Sequence, residues 1–143
     1  MYSLHPQLVN DGLWVGDFEL STLLLINDMQ YPWFVLVPRR EDITEVFQLA
    51  QADRQQLLDE SCALAEALKD AFSAHKINIA TLGNMVSQLH VHHVVRYRHD
   101  AAWPAPVWGK LPAVAYDEEQ LNGCIQRLKQ VLTTNFTYAE QFK

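Results

Sequence analysis

Residues 88 to 96 read Gln88-Leu89-His90-Val91-His92-His93-Val94-Val95-Arg96, and their alternation leaves this stretch few conformations. A period of two is the period of a β-strand. On such a strand Gln88, His90, His92 and Arg96 share one face. Leu89, Val91 and Val95 share the other, which needs a core to cover it. His93 falls on the core side and reads as a buried, hydrogen-bonded histidine or as the mark of a β-bulge. One short strand therefore presents two imidazoles, an amide and a guanidinium to a single space. Imidazole exchanges protons near neutral pH and is also a nucleophile able to form a covalent intermediate. An arginine at the end of the row suits a phosphate.

The rest of the chain supplies a sheet around that strand. Leu13–Phe18 and Leu20–Ile26 read as two strands. The turn-forming residues Asn27 to Pro32 follow, and then a short apolar strand, Trp33–Val37, closed by Pro38. Strands this close in sequence form an antiparallel meander. A short helix is expected over Thr44–Ala50. A long one starts at Asp53, where Asp53 and Gln56 have the form of a capping box, and ends near His75. Its apolar residues Leu57, Leu58, Cys62, Ala65, Leu68 and Phe72 make one stripe. Ile77–Leu82 is a fourth strand, Gly83-Asn84 a turn, and Gln88–Tyr97 the fifth strand. Residues 101 to 112 form a loop rich in proline, with Trp103 and Trp108 in it. Asp117 and Gln120 start a second amphipathic helix with Leu121, Cys124, Ile125, Leu128, Val131 and Leu132 on its apolar face. Thr133–Lys143 shows no clear pattern. Strands in runs with segregated helices define an α+β architecture, expected as one domain over residues 1–143.

Composition narrows the function. A chain of 143 residues suits one full core. A formal charge of −6 without a basic run excludes the backbone binding of long nucleic acids, but not of a small phosphorylated ligand. Cys62 and Cys124 both fall on predicted apolar helix faces and read as buried thiols, with no disulfide or zinc pattern. No apolar run approaches the length of a membrane span, and the N-terminus lacks a basic segment followed by an apolar one. The expectation is a cytoplasmic protein with no membrane partner.

The strand from Gln88 to Arg96 resembles the active-site strand of the histidine-triad (HIT) superfamily, His-φ-His-φ-His-φ-φ followed by Pro and Arg. The alignment needs no gap: Gln88 takes the first triad position, His90 the second, His92 the third and Arg96 the trailing arginine. Leu23–Asn27 looks like the family strand that ends in an asparagine contacting the nucleotide ribose. The segment Pro32–Arg40 resembles the family's Pro-Gly-His step into an apolar strand and a Pro-Lys/Arg pair, with Phe34 where an auxiliary histidine is common. Asn78 and Gly83-Asn84 fall where the family has an asparagine and a Gly-Gln pair near the phosphates. The resemblance spans about Leu13 to Arg98. It implies a HIT-like fold, a five-stranded antiparallel sheet with two main helices, usually a homodimer.

The resemblance further implies that His90 is the nucleophile. It would attack the α-phosphorus of a nucleoside phosphoramidate or dinucleoside polyphosphate, and water would release the mononucleotide. Such a nucleophile must be neutral on the attacking nitrogen, with its other N–H held by an acceptor, here expected to be a backbone carbonyl. His92 would hydrogen-bond the phosphate oxygens and assist proton transfer to the leaving group. Gln88 can orient a phosphate or water but cannot carry a proton at neutral pH. Asn27, Asn78, Asn84 and Arg96 complete the expected substrate-binding set, with anchoring of the sheet end or of a partner subunit as the alternative role of Arg96. No cofactor is required, and a divalent cation arriving with the substrate is compatible with the site. Two other functions compete: a nucleotide-binding or regulatory protein with little turnover, which Gln88 and Phe34 favour, and a metal-binding protein using His90, His92 and a ligand such as His99. Trp33, Trp103 and Trp108 read as core or dimer packing. His5, His75 and His99 read as surface residues.

Overall fold

A computed structural model describes residues 1–141; the last two residues of the expected domain, 142 and 143, lie outside the described residues. Short strands in sequence order make one antiparallel sheet. They are β1 (Gly12–Asp17), β2 (Ser21–Ile26), β3 (Trp33–Pro38), β4 (Lys76–Ala80), β5 (Val91–Arg96) and β6 (Thr137–Tyr138), in the spatial order β4-β5-β3-β2-β1-β6. The expected architecture is present with a sixth strand. β6 is two residues long and pairs with the end of β1. That pairing explains Gly16, because a Cβ there would lie 2.3 Å from the Thr137 carbonyl oxygen and 2.7 Å from the Phe136 ring.

The two sheet faces have different roles. Leu23, Leu25, Phe34, Leu36, Val91 and Val95 face the helices α2 (Gln51–Phe72) and α3 (Glu118–Lys129), whose Leu57, Leu64, Leu68, Phe72, Ile125 and Leu128 complete the main core. Each of these larger side chains contributes about 1.5–3 kcal/mol by leaving water. The opposite face is covered by the N-terminal segment with Tyr2 and Leu4, the helix α1 (Pro6–Asp11), the 82–86 turn and the loop around Trp108, and a cavity forms between them. Glu60 fastens α2 to the sheet. It is buried, and its carboxylate accepts hydrogen bonds from the amides of Leu20 and Ser21, at 2.8 and 3.0 Å, and from Gln56.

Several expectations shift. The long helix begins at Gln51, two residues before Asp53, whose carboxylate pairs with Arg40 instead of capping. A capping box does occur at Glu45 and Gln48, in the short 3-10 turn Val46–Gln48. The box at Asp117 and Gln120 starts α3 as expected. Cys62 is exposed, since it lies one position off the stripe formed by Leu57, Ser61, Leu64 and Leu68, whereas Cys124 is buried. The strand expected over Gln88–Tyr97 begins only at Val91. α1 and β6 have no counterpart in the sequence reading.

Candidate active site

His90 and His92 reach the same cavity by different routes. His92 stands on β5, opposite Val35 of β3, on the sheet face away from the helices. His90 sits just before the strand, in irregular backbone. Its Nδ1–H donates to the carbonyl oxygen of Gln88 at 2.7 Å, the backbone acceptor expected for a nucleophilic imidazole. Since a carbonyl can only accept, Nδ1 carries a proton, and in the neutral imidazole the lone pair is therefore on Nε2. The two rings lie 4.9 Å apart, edge to face, and both side chains are largely buried.

Trp33 sets the chemistry of His92. On β3 it pairs with Val94, which makes it the diagonal neighbour of His92 on the same face. Its indole N–H donates to His92 Nδ1 at 2.9 Å. Indole nitrogen is a donor only, so His92 carries its proton on Nε2. Burial pushes the His92 pKa down to about 3, and the neighbouring imidazoles His90 and His93 add to the effect. His92 is therefore a neutral N–H donor at physiological pH. Trp108 closes the other side, its ring 5.3 Å from His92 and 6.0 Å from Trp33.

The cavity has a volume of about 730 Å³. Asn10, Asp11, Asn27, Asp28, Asn84, His90 and His92 are its polar lining. Leu82, Met85, Val86, Leu111, Trp33 and Trp108 supply apolar wall, and no lysine or arginine is among the described lining residues. Asn27 Oδ1 accepts from the amide of Tyr116 at 2.9 Å. Asp28 is buried, and its Oδ1 accepts from the amides of Gln30 and Val114. Asn84 is exposed on a turn made possible by Gly83, whose φ of 72° lies in the left-handed region.

Three expected site residues lie elsewhere. Gln88 turns away from the cavity: its Oε1 accepts from the His5 amide at 2.8 Å and its Nε2 donates to the Ser3 carbonyl at 2.9 Å. Only its backbone carbonyl serves the site. Arg96 is 1% exposed and its guanidinium is fully engaged, donating to Asp100, to Asn78 Oδ1 at 2.8 Å and to the Ala105 carbonyl at 2.8 Å. Asn78 is thus the partner of Arg96, outside the cavity lining. Together they hold the 97–105 loop that leads to Trp108. Phe34 faces the helix side, packed against Phe72, so the residue of this step that meets the site is Trp33.

His93 lies on the core side, as its place in the alternation requires. Its Nδ1–H donates to the Val91 carbonyl at 3.1 Å, so Nε2 accepts from the Ser61 hydroxyl of α2 at 2.7 Å. Burial pushes its pKa down to about 4. Both depressed histidines favour the neutral folded form. As the pH falls below the unfolded value of 6.5, the unfolded chain takes up these protons first. Stability is expected to be full above pH 6.5 and to fall as pH drops towards 4, with a smaller loss in His93→Phe, as read from thermal midpoints across that range.

Among the described residues no group of three or more His, Cys, Asp or Glu side chains could hold a metal, which leaves His90 and His92 without a third ligand. His99 stacks on Tyr97 instead. Trp103 lies over the Arg96 guanidinium. His75 accepts from Arg98 at 3.1 Å, and His5 caps α1 through Nδ1. Trp33 and Trp108, expected as core or dimer packing, and Asp28, expected only as a turn residue, line the cavity. No helix among the described residues is long and apolar enough to cross a membrane.

An antiparallel sheet carrying a row of histidines against an Asn/Asp-lined cavity defines a histidine-triad protein. The HIT domain family model matches residues 7–99, and the chain belongs to that family, a superfamily of nucleotide-binding proteins. It is similar to the crystal structure of a histidine triad protein from Marinobacter aquaeolei VT8, with 47% identity and a TM-score of 0.90 over 92% of this chain and 96% of that one. Histidine triad proteins from Bradyrhizobium japonicum and Sinorhizobium meliloti 1021 are 43% and 42% identical, with TM-scores of 0.89 and 0.90, each over 92% of this chain and 98% of theirs. A search of curated proteins finds no match.

Proposed function

We propose that this protein is a nucleotide hydrolase that cleaves at the α-phosphorus through a covalent nucleotidyl-histidine on His90. The observation that carries this reading is the hydrogen bond from His90 Nδ1–H to the Gln88 carbonyl, which leaves the Nε2 lone pair available beside the His92 Nε2–H donor in one cavity. His90 Nε2 attacks phosphorus while His92 holds a non-bridging oxygen. The positive charge that develops on the imidazole is stabilised through Nδ1–H by the carbonyl. In this reading Asn84 donates to phosphate, Asn27 meets the ribose, and the apolar wall receives the base. With no lysine or arginine among the described lining residues, neutral donors carry phosphate recognition in this reading. Dinucleoside polyphosphates and nucleoside phosphoramidates are the candidate substrates. The chain acts without a cofactor in this reading, as a cytoplasmic homodimer, and sedimentation equilibrium checks the dimer.

A second reading, nucleotide binding with little turnover, is favoured by Gln88 facing away from the cavity. Two measurements on one sample separate the readings: release of AMP from adenine nucleotides, and quenching of tryptophan fluorescence, since Trp33 and Trp108 line the cavity. Turnover that follows binding supports the hydrolase. Quenching without AMP from any nucleotide of either class sinks it. Because Gln88 serves the site through its backbone, Gln88→Ala should change turnover less than about tenfold, well short of the loss of a general acid or base. Amide hydrogen exchange should accelerate at His5. A loss of a thousandfold would show that the side chain acts in the chemistry.

A further inference from the structure

Which bond to the α-phosphorus can break depends on what must leave. A phosphate or polyphosphate departs as a stable anion. The amine of a phosphoramidate has to gain a proton as the P–N bond breaks, so its cleavage needs an acid. In this cavity the candidate acid is His92, and Trp33 denies it that role. The indole N–H points at Nδ1 from 2.9 Å, so an imidazolium would set two N–H groups against each other. A neutral imidazole still donates a hydrogen bond from Nε2 but does not give its proton up. Its burial between Trp33 and Trp108 acts in the same direction. The other groups around it do not replace the acid. His90 is the attacking base, with its own Nδ1–H on the Gln88 carbonyl. His93 is on the opposite sheet face, bonded to Ser61 and Val91. Asp11 and Asp28 line the cavity with Oδ1 atoms already accepting, from Gln7 and Asn10 and from the amides of Gln30 and Val114, and Arg96 on the same strand is taken by Asp100 and Asn78.

We propose that Trp33 is a positioning residue that fixes His92 as a neutral Nε2–H donor, and that it thereby confines the site to nucleotide anhydrides in preference to phosphoramidates. This rests on His90 being the nucleophile. The step balances without an acid. The His90 Nε2 lone pair forms the N–P bond as the P–O bond of the anhydride breaks, and that electron pair leaves on the phosphate anion. Water then forms the new P–O bond, the P–N pair returns to His90, and the proton of water passes to solvent.

The test compares wild type with Trp33→Phe, using P1,P4-di(adenosine-5′) tetraphosphate and adenosine 5′-phosphoramidate as substrates across pH 5 to 9. Wild type should favour the anhydride in kcat/KM by at least about 100-fold, the scale of a missing general acid. Trp33→Phe should narrow that ratio at least tenfold by speeding phosphoramidate cleavage at low pH, which a merely structural loss would not do. Nitrogen-15 NMR of the imidazoles reads the lock without turnover: His92 of wild type should keep Nδ1 unprotonated through pH 5, and should titrate higher in Trp33→Phe. A wild-type His92 that titrates near 6.5, or a phosphoramidate cleaved as fast as the anhydride, overturns the proposal while leaving His90 as nucleophile. No turnover of either substrate, with His92 in the expected tautomer, overturns the hydrolase reading and the bond preference with it.

Discussion

Replacing His90 by alanine should remove turnover by at least about a thousandfold, with nucleotide binding changed far less. The asymmetry comes from the geometry. In the proposed reading the nucleotide is held by Asn27, Asn84, Trp33, Trp108 and the apolar residues of the 82–86 turn, which line the same cavity as His90 and remain in the variant. What His90 alone supplies is a lone pair at Nε2, made available because Nδ1–H is held by the Gln88 carbonyl. A water molecule in the space vacated by the ring lacks both the nucleophilicity and the fixed direction of that lone pair. The check is kcat and KM for the variant beside a binding titration. A large rise in KM with kcat intact would mean that His90 binds substrate and does not attack it.

The second large effect is on stability. Arg96→Met should destabilise the fold by about 3–5 kcal/mol, because it leaves Asp100 as an unpaired charge in a buried place. Arg96 and Asp100 are 1% and 3% exposed, with Nε 2.8 Å from the carboxylate. Burial pushes the Asp100 pKa up, but the Arg96 guanidinium and the amides of Tyr97, Trp103 and Ala102 outweigh it and hold the carboxyl below its ordinary value. A depressed carboxyl pKa stabilises the fold above the unfolded pKa, and that contribution is lost as pH falls through the folded one. The variant should therefore lose most near neutral pH, and the gap to wild type should shrink in acid. Chemical denaturation at pH 7 and pH 3 measures both. Because Arg96 also ties down the loop leading to Trp108, the destabilised variant should lose the Trp108 wall before the rest of the sheet. An effect under 1 kcal/mol at pH 7 would mean that the loop is held without the ion pair.

Sequence periodicity exposed the sheet and the two main helices because those elements are set by local alternation and by local caps. The Asp117–Gln120 box is readable from a spacing of three residues, and His93 is assigned to the core by parity alone. The site residues needed information from further away. Gln88 has the right parity to face the cavity, yet its amide is drawn off by Ser3 and His5, the latter 83 residues earlier in the chain. Arg96 and Asn78 have the right residue types for phosphate, but they meet each other and a carboxylate from the following loop. Phe34 and Trp33 are neighbours on β3 and face opposite sides of the sheet. A shift of one residue on a strand exchanges the faces, so the indole of Trp33 meets the histidines and Phe34 enters the core. Trp108 lies in a loop without a period, and nothing in its neighbours signals that it closes over His92.

Catalysis in the proposed mechanism rests on a bond between His90 Nε2 and phosphorus. The most direct measurement is the intact mass of the protein, quenched in base during turnover of a dinucleoside polyphosphate, followed by peptide mapping. One added nucleotidyl group is expected on the peptide containing His90, absent from His90→Ala, appearing and decaying at the rate of AMP release. Turnover without any adduct under conditions that preserve phosphohistidine would contradict it and would point to direct attack by water.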